Sequence, residues 1–303
     1  MTTSERLEWL KTRQTGIGGS DVAAILGLSK WKTPRDVYND KIAENPVEES
    51  NASIEWGNRL EPVIRQKYAD VTGIPVTIPN TTFRHPEHPF MIANVDGLLP
   101  DGSVLEIKTA RSGADWGEEG TDEIPEYYLT QVQHYMAVTG AKMCDVAVLI
   151  GASDFRIYHI DFDPEIVAML IEEEKEFWQR VIDRNPPAPR TYAEASAAFP
   201  RSKAQAVEAS DEILHEAIEL ESVNRQIDEL KERKEELQGL ITSFMGESDT
   251  LATAGRTIAT WKTSKPRVTF DSTTFKAKHP DLYTQYCKEG KPSRRFLLKL
   301  KSE

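Results

Sequence analysis

Between Ile92 and Ala110, in IANVDGLLPDGSVLEIKTA, Asp96, Glu106 and Lys108 have the types and spacing that two-metal phosphodiester chemistry needs. FMIANVDGLL reads as an apolar-rich strand, Pro100 to Ser103 as a turn and VLEIKTA as an alternating strand, so together they are expected to form a hairpin. Alternation puts Glu106 and Lys108 on one face, with Leu105 and Ile107 turned to the core. Asp96 enters from the end of the partner strand. Two carboxylates about 4 Å apart repel by roughly 4 kcal/mol at an effective dielectric near 20, so the cluster invites a divalent cation. Mg²⁺ suits it, because that ion prefers oxygen ligands and keeps waters, leaving room for a substrate phosphate and an attacking hydroxide. Lys108 could orient that water or stabilise developing charge. Spacing alone leaves an alternative open, a solvated Glu106–Lys108 ion pair on an exposed strand.

The flanking segments must position these groups. In TRQTGIGGSDVAAILG, Gly16, Gly18 and Gly19 form a loop, and Ser20-Asp21 starts a helix that ends near Gly27. Free backbone N–H groups, the Ser20 hydroxyl and the Arg13 fork would make an anion site. The alternative is that Ser20 only caps the helix. Ser53 to Gly73 reads as an amphipathic helix with Ile54, Leu60, Ile64 and Tyr68 near one face, and it carries Glu61. In PEYYLTQVQHYMAVTG, Tyr128, Gln131 and Tyr135 share one helix face, which would more often be core edge than site. The six histidines are scattered and none has metal-ligand spacing, so zinc is not expected. MCDVAVLIG and FRIYHIDF read as a further hairpin, and PEIVAMLIEEEKEFWQRVID as a helix that runs into the stop Pro186-Pro187-Ala188-Pro189. The fold class expected for residues 1–190 is α/β (α+β), a mixed central sheet flanked by helices.

Composition shifts beyond the prolines, with a boundary between residues 185 and 205. Residues 191–247 read as a linker and a long charged helix. Its heptad seam sets Ile213, Leu220, Ile227 and Ile241 beside Val223, Leu230, Leu237 and Phe244, with Glu216 and Lys234 as exceptions. Such a seam serves a coiled coil or a fold-back on a neighbouring helix equally well. Residues 248–303 form a small basic α+β module. From Gly255 on there are 12 Lys/Arg against 4 Asp/Glu, which leaves 25 against 45 for the rest. Its interleaved aromatics and the Arg294-Arg295-Phe296 patch could meet DNA; alternatively, the aromatics are core and the charges merely solvated.

Four blocks in order carry a family resemblance: LKTRQTGIGGSDVAAILGLSKWKTPRDVY, EWGNRLEP, IANVDG with LEIKTA, and IPEYYLTQVQHYMAVTG. Over roughly residues 5 to 185 the chain resembles the YqaJ-type phage recombination nucleases, relatives of the lambda exonuclease with the PD-(D/E)xK signature. Val95 stands where that signature often has proline, and Asn94 where some relatives have serine. The resemblance implies a restriction-endonuclease-like core. It also implies a catalytic set of Asp96, Glu106, Lys108, Glu61 and Gln131. Two Mg²⁺ ions, replaceable by Mn²⁺, would sit on Asp96, Glu106, the Ile107 backbone carbonyl and Glu61. Arg13, Ser20 and Asn94 are implied to contact a terminal 5′-phosphate, with Tyr128 beside Gln131. Further implications are 5′-to-3′ digestion of one strand of linear duplex DNA, a single-strand annealing recombinase as partner, and ring-shaped trimers. An endonuclease of the same fold and a catalytically idle DNA- or recombinase-binding scaffold are the competing readings.

The 303 residues carry a net charge of −12, which disfavours a surface that wraps DNA nonspecifically and leaves binding to a local channel, the metals and the basic tail. With no apolar run near 18 residues and a polar N-terminus, the chain is expected to be soluble, without membrane contact, and cytoplasmic in the host cell. Two cysteines, Cys144 and Cys287, suit a reducing compartment. They are too few for the iron–sulfur nucleases of the same superfamily, which need four.

Overall fold

The computed structural model describes residues 3–47, 50–288, 290 and 293–300. The chain divides into two compact units, Met1–Ala195 and Ser196–Glu303. The first begins α1 (Thr3–Arg13), β1 (Ile17–Gly18), α2 (Gly19–Ile25), α3 (Pro34–Ile42) and α4 (Ala52–Thr72). It continues β2 (Phe83–Arg84), β3 (Met91–Ala93), β4 (Gly97–Leu98), β5 (Val104–Ala110) and α5 (Glu126–Thr139). It ends β6 (Met143–Ile150), β7 (Asp154–Asp161) and α6 (Pro164–Ile182), with α7 (Tyr192–Ala198) across the boundary.

Two sheets result, a small one of order β1-β3-β2 and a larger one of order β4-β5-β6-β7. In the larger, β5 and β6 run parallel, with α5 as the crossover, while β4 and β7 are antiparallel to their neighbours. The mixed α/β fold expected from the sequence is the fold observed. One expectation is corrected. FMIANVDGLL is not a single strand, because Asn94-Val95-Asp96 lies between β3 and β4, which belong to different sheets. The hairpin is therefore short, pairing Gly97 with Leu105 and Leu98 with Val104.

Helices cover both faces of the larger sheet. On one, Val132, Tyr135 and Met136 of α5 pack on Val146, Val148 and Tyr158. On the other, Ile64 and Tyr68 of α4 pack on Leu105, Ile107 and Ala147. Each fully buried aliphatic side chain contributes about 1.5–3 kcal/mol of transfer free energy, so these contacts fix the two helices that flank β5. Asn51 accepts from the Ile54 N–H to start α4, and Gly73, in the left-handed region at φ 70°, ends it. Proline at position 62 is carried inside this helix. A third cluster joins α2, α3 and α6 through Val22, Val37, Tyr38 and Leu170.

Gly19 is required by close approach, since a Cβ there would lie 2.5 Å from the Tyr135 ring. The first turn of α2 thus sits directly against α5, which brings the glycine loop to the carboxylate cluster.

The second unit holds α8 (Asp211–Met245), the hairpin β8 (Thr250–Thr253) with β9 (Arg256–Thr260), α9 (Ser272–Lys278) and α10 (Pro280–Tyr286). Ser210 caps α8 by accepting from the Ile213 N–H. The tail aromatics do not form a buried core: Trp261, Phe270, Tyr286 and Phe296 are exposed and Phe275 and Tyr283 half-buried, with the Phe270 and Phe275 rings 4.9 Å apart and tilted. Among the described residues, no helix is long and apolar enough to cross a membrane.

Candidate active site

A cleft of about 2300 Å³ opens in the first unit, and Asp96, Glu106, Lys108 and Gln131 line it. Glu106 leaves β5 toward α5 and is 3% exposed, so the alternative of a solvated surface ion pair is ruled out. Its Oε1 accepts from Lys108 Nζ at 2.5 Å and from Gln131 Nε2 at 2.8 Å. Gln131 Oε1 in turn accepts from Lys108 Nζ at 3.0 Å, and Gln131 Nε2 also donates to Tyr135 Oη at 2.9 Å. The ammonium lies 4.6 Å from the centre of the Tyr128 ring, a cation–π contact that holds the Lys108 stem from a third side. Burial by itself would lower the Lys108 pKa, yet Glu106, Tyr128 and Asp96 together raise it, so the lysine stays charged.

Asp96 sits just past the sheet switch. Its Oδ2 accepts from the Ile107 N–H at 2.8 Å, so the carboxylate caps the edge that β4 leaves open. The Ile107 carbonyl leaves the strand on the same side as its N–H, because both groups of a strand residue face one neighbour. Burial, reinforced by the Glu106 charge, pushes the Asp96 carboxyl up to about 7. Glu61 reaches the cleft from α4 and is raised by burial and by Asp96. Arg65, one turn on, donates to the Glu61 carboxylate and, at 3.1 Å, to the Asp96 carbonyl.

These groups fit a hard cation bound in an open, hydrated way. Glu106 Oε2 is buried without a hydrogen-bond partner, and Asp96 is destabilised by a neighbouring charge; a bound cation would relieve both. Among the described residues, no three His, Cys, Asp or Glu side chains converge closely enough to cage an ion by themselves. With Glu61 turned to Arg65, Glu106 Oε2 is the unpartnered oxygen of this cluster among the described residues, and the Ile107 carbonyl faces the same side as the N–H that Asp96 accepts.

At another wall of the cleft, Arg13 Nη2 donates to Ser20 Oγ at 2.9 Å, and Asn94 stands with its Oδ1 accepting from Thr82 at 2.8 Å. Ser20 is not the helix cap. Gly18 is the cap residue, its N–H donates to Asp21 Oδ2 at 3.0 Å from the first turn of α2, and the Ser20 hydroxyl accepts from Arg13. Behind them lies a group that local sequence gave no sign of. Lys41 Nζ, almost wholly buried, donates to Asp21 Oδ2 at 2.6 Å and to the Arg13 carbonyl at 2.9 Å. Burial works against the Asp21 charge, but Lys41 and Arg13 outweigh it and hold the carboxyl well below its usual range. Arg65 was also missed, although its spacing of four from Glu61 could have revealed it.

Arg294 and Arg295 are exposed in the second unit, where Arg294 donates to the Phe199 carbonyl at 3.2 Å.

Residues 8–142 match the family described as YqaJ-like viral recombinase domain. The protein recorded as Uncharacterized protein YqaJ from Bacillus subtilis (strain 168) is 35% identical over 304 residues, covering 94% of this chain and 91% of that one. The chain belongs to the YqaJ-like viral recombinase family. A more distant relative, Uncharacterized protein R354 of Acanthamoeba polyphaga mimivirus, is 26% identical over 151 residues, 46% of this chain and 27% of that protein. Among solved structures, the alkaline exonuclease LHK-Exo from Laribacter hongkongensis superposes with a TM-score of 0.50 at 23% identity, over 64% of this chain and 99% of that one. This YqaJ-like chain thus has the fold of that exonuclease.

Proposed function

We propose that the chain is a metal-dependent deoxyribonuclease that digests one strand of linear duplex DNA from a 5′-phosphorylated end. The observation that carries this reading is a single cleft lined by Asp96, Glu106 and Lys108 and also by Arg13, Ser20 and Asn94. Reactive groups for phosphodiester hydrolysis and donors for a terminal phosphate then act on one strand end. Membership of the YqaJ-like family and the exonuclease fold support it further.

Asp96, Glu106 and the Ile107 carbonyl would hold Mg²⁺, with Glu61 joining directly or through water; one or two ions, or Mn²⁺, meet the same donor set. When bound, the metal supplies an acidified water and offsets charge on the scissile phosphate. Lys108 is held charged by Glu106 and fixed by Gln131, so it orients the attacking water and stabilises the developing phosphorane charge. Arg13 and Ser20 present a preformed fork and hydroxyl, and Asp21 and Lys41 keep that fork in place at no cost at the moment of binding. The single strand left behind would pass to a single-strand annealing recombinase in the host cytoplasm. Ring-shaped trimers would give processivity.

The test is digestion of 5′-phosphorylated linear, 5′-hydroxyl linear and closed circular duplex with Mg²⁺, for wild type, Lys108→Ala and Glu106→Ala. Cutting of the phosphorylated linear substrate, abolished by both substitutions, is expected. Cutting of the closed circle would replace the reading with an endonuclease, and no metal-dependent cutting at all would leave a DNA-binding scaffold.

A further inference from the structure

The helix α8 is 35 residues long, about 52 Å at 1.5 Å per residue, and among the described residues it is exposed along nearly its whole length, with only Met245 at its end buried. Its apolar seam is open: Ile213 is 58% exposed, Leu230 69% and Leu237 43%. Leaving such a stripe in water forgoes most of its burial free energy, so it needs a cover. Two charged residues interrupt the seam, Glu216 at one position type and Lys234 at the other, and neither enters an ion pair with any described residue.

We infer that α8 pairs with α8 of a second copy of this chain, in an antiparallel register centred beside Arg225. With that centre, Ile213 lies opposite Leu237 of the other copy, Leu220 opposite Leu230, and Val223 opposite Ile227. The two exceptions then fall opposite each other, Glu216 against Lys234, once at each end of the dimer. An antiparallel pair sets each position of one type against the other type across the seam, so an acid and a base at opposite position types neutralise each other. The flanking positions agree. With the same centre Glu219 is level with Lys231 and about half a turn from Arg233, which now pairs within its helix to Glu236 at 2.9 Å, and Asn224 is level with Gln226. No like charges face each other. In a parallel, in-register pair Glu216 would face Glu216 and Lys234 would face Lys234 inside the seam, a cost that charge patterning uses to reject a partner. Ile241 and Phe244 run past the start of the other helix.

The experiment is light-scattering mass of the full chain at a fixed micromolar concentration, for wild type, Glu216→Lys, Lys234→Glu and the double reversal. Each single reversal puts like charges together at both ends, so the mass is expected to fall twofold relative to wild type. The double reversal restores opposite charge and is expected to return the wild-type mass, which also excludes misfolding as the cause. Three results overturn the proposal: a wild-type mass that neither single reversal lowers, a double reversal that fails to rescue, and a wild-type chain that is already a monomer. The readout is physical mass alone and does not depend on any nuclease activity.

Discussion

Replacing His134 by alanine should cost about 3–5 kcal/mol of stability, whereas replacing its partner Glu174 by glutamine should cost less than about 1.5 kcal/mol. The asymmetry follows from geometry. His134 is fully buried between α5, α6 and β3, with Nδ1 2.8 Å from Glu174 Oε1 and Nε2 2.9 Å from the Ile92 carbonyl. Both neighbours accept hydrogen bonds, so the pair is satisfied only when it holds one proton beyond neutral imidazole and ionised carboxylate. Burial opposes charge on His134, but Glu174 and the Ile92 carbonyl win and raise its pKa above 6.5; burial likewise raises Glu174 above 4.5. Alanine strips Glu174 of its hydrogen-bond partner and leaves a buried carboxylate whose other oxygen already has none. Glutamine instead gives a neutral pair, with Nε2–H still donating to Ile92 and the new amide donating to Nδ1. The pH sign follows from the raised values. The native pair holds its one proton more tightly than the unfolded histidine does, so stability falls as pH rises from 6.5 through the raised histidine value, by up to about 1.4 kcal/mol per pH unit. The assay is urea unfolding of the full chain at pH 6 and pH 9, read from exchange protection of the α5 amides. Wild type should lose stability between the two pH values and Glu174→Gln should lose much less. Equal destabilisation by both variants, or an unchanged pH slope in Glu174→Gln, would refute the reasoning.

Gly19→Ala should cost about 1–3 kcal/mol, because the new methyl meets the Tyr135 ring, and a thermal melt would reveal it; an unshifted Tm would mean that the ring yields freely. Asp21→Asn should cost about 3–5 kcal/mol at pH 7 by leaving Lys41 buried beside a neutral amide. Since the Asp21 pKa is depressed, its contribution is present above pH 3.8 and lost as pH falls through the folded value; the gap between wild type and variant should therefore narrow in acid unfolding below pH 3.8. Asp96→Asn should act in the opposite direction. With the folded carboxyl at about 7, ionised Asp96 opposes folding above that pH, so the asparagine variant should be more stable at pH 8 without metal, by on the order of 1–4 kcal/mol in urea unfolding. A destabilised variant would mean that the Ile107 N–H bond outweighs charge repulsion.

What the sequence revealed were features with a local period. Alternation in VLEIKTA correctly sent Glu106 and Lys108 one way and Leu105 and Ile107 the other, and helical spacing brought Gln131 and Tyr135 onto the face where they now share a hydrogen bond. Alternation could not show that both faces of β5 are covered, which is why an exposed ion pair remained open as a reading. Lys41 with Asp21, His134 with Glu174 and Tyr68 with Asp145 join elements far apart in the chain, and no spacing rule links such pairs. The strand break between Ala93 and Gly97 was invisible for a different reason. Ile92, Val95 and Leu98 are all apolar, so the segment looks like one strand until the two sheets compete for its halves.

That break has a geometric consequence for the proposed chemistry. Met91–Ala93 pairs with β1, which leads directly into the turn carrying Ser20, whereas Gly97–Leu98 pairs with β5, which carries Glu106 and Lys108. Asn94 and Asp96 are therefore the residues just after one sheet and just before the other, two positions apart on a backbone that each sheet anchors at one end. Under the proposed function, the residue that meets the terminal phosphate and the residue that meets the metal sit at a backbone separation that the two sheets fix. A proline at position 95, in place of valine, would remove one backbone donor at this junction and leave that spacing intact. The departure from the family signature thus falls where the chain already leaves both sheets, and the adjoining acid keeps its hydrogen bond to Ile107.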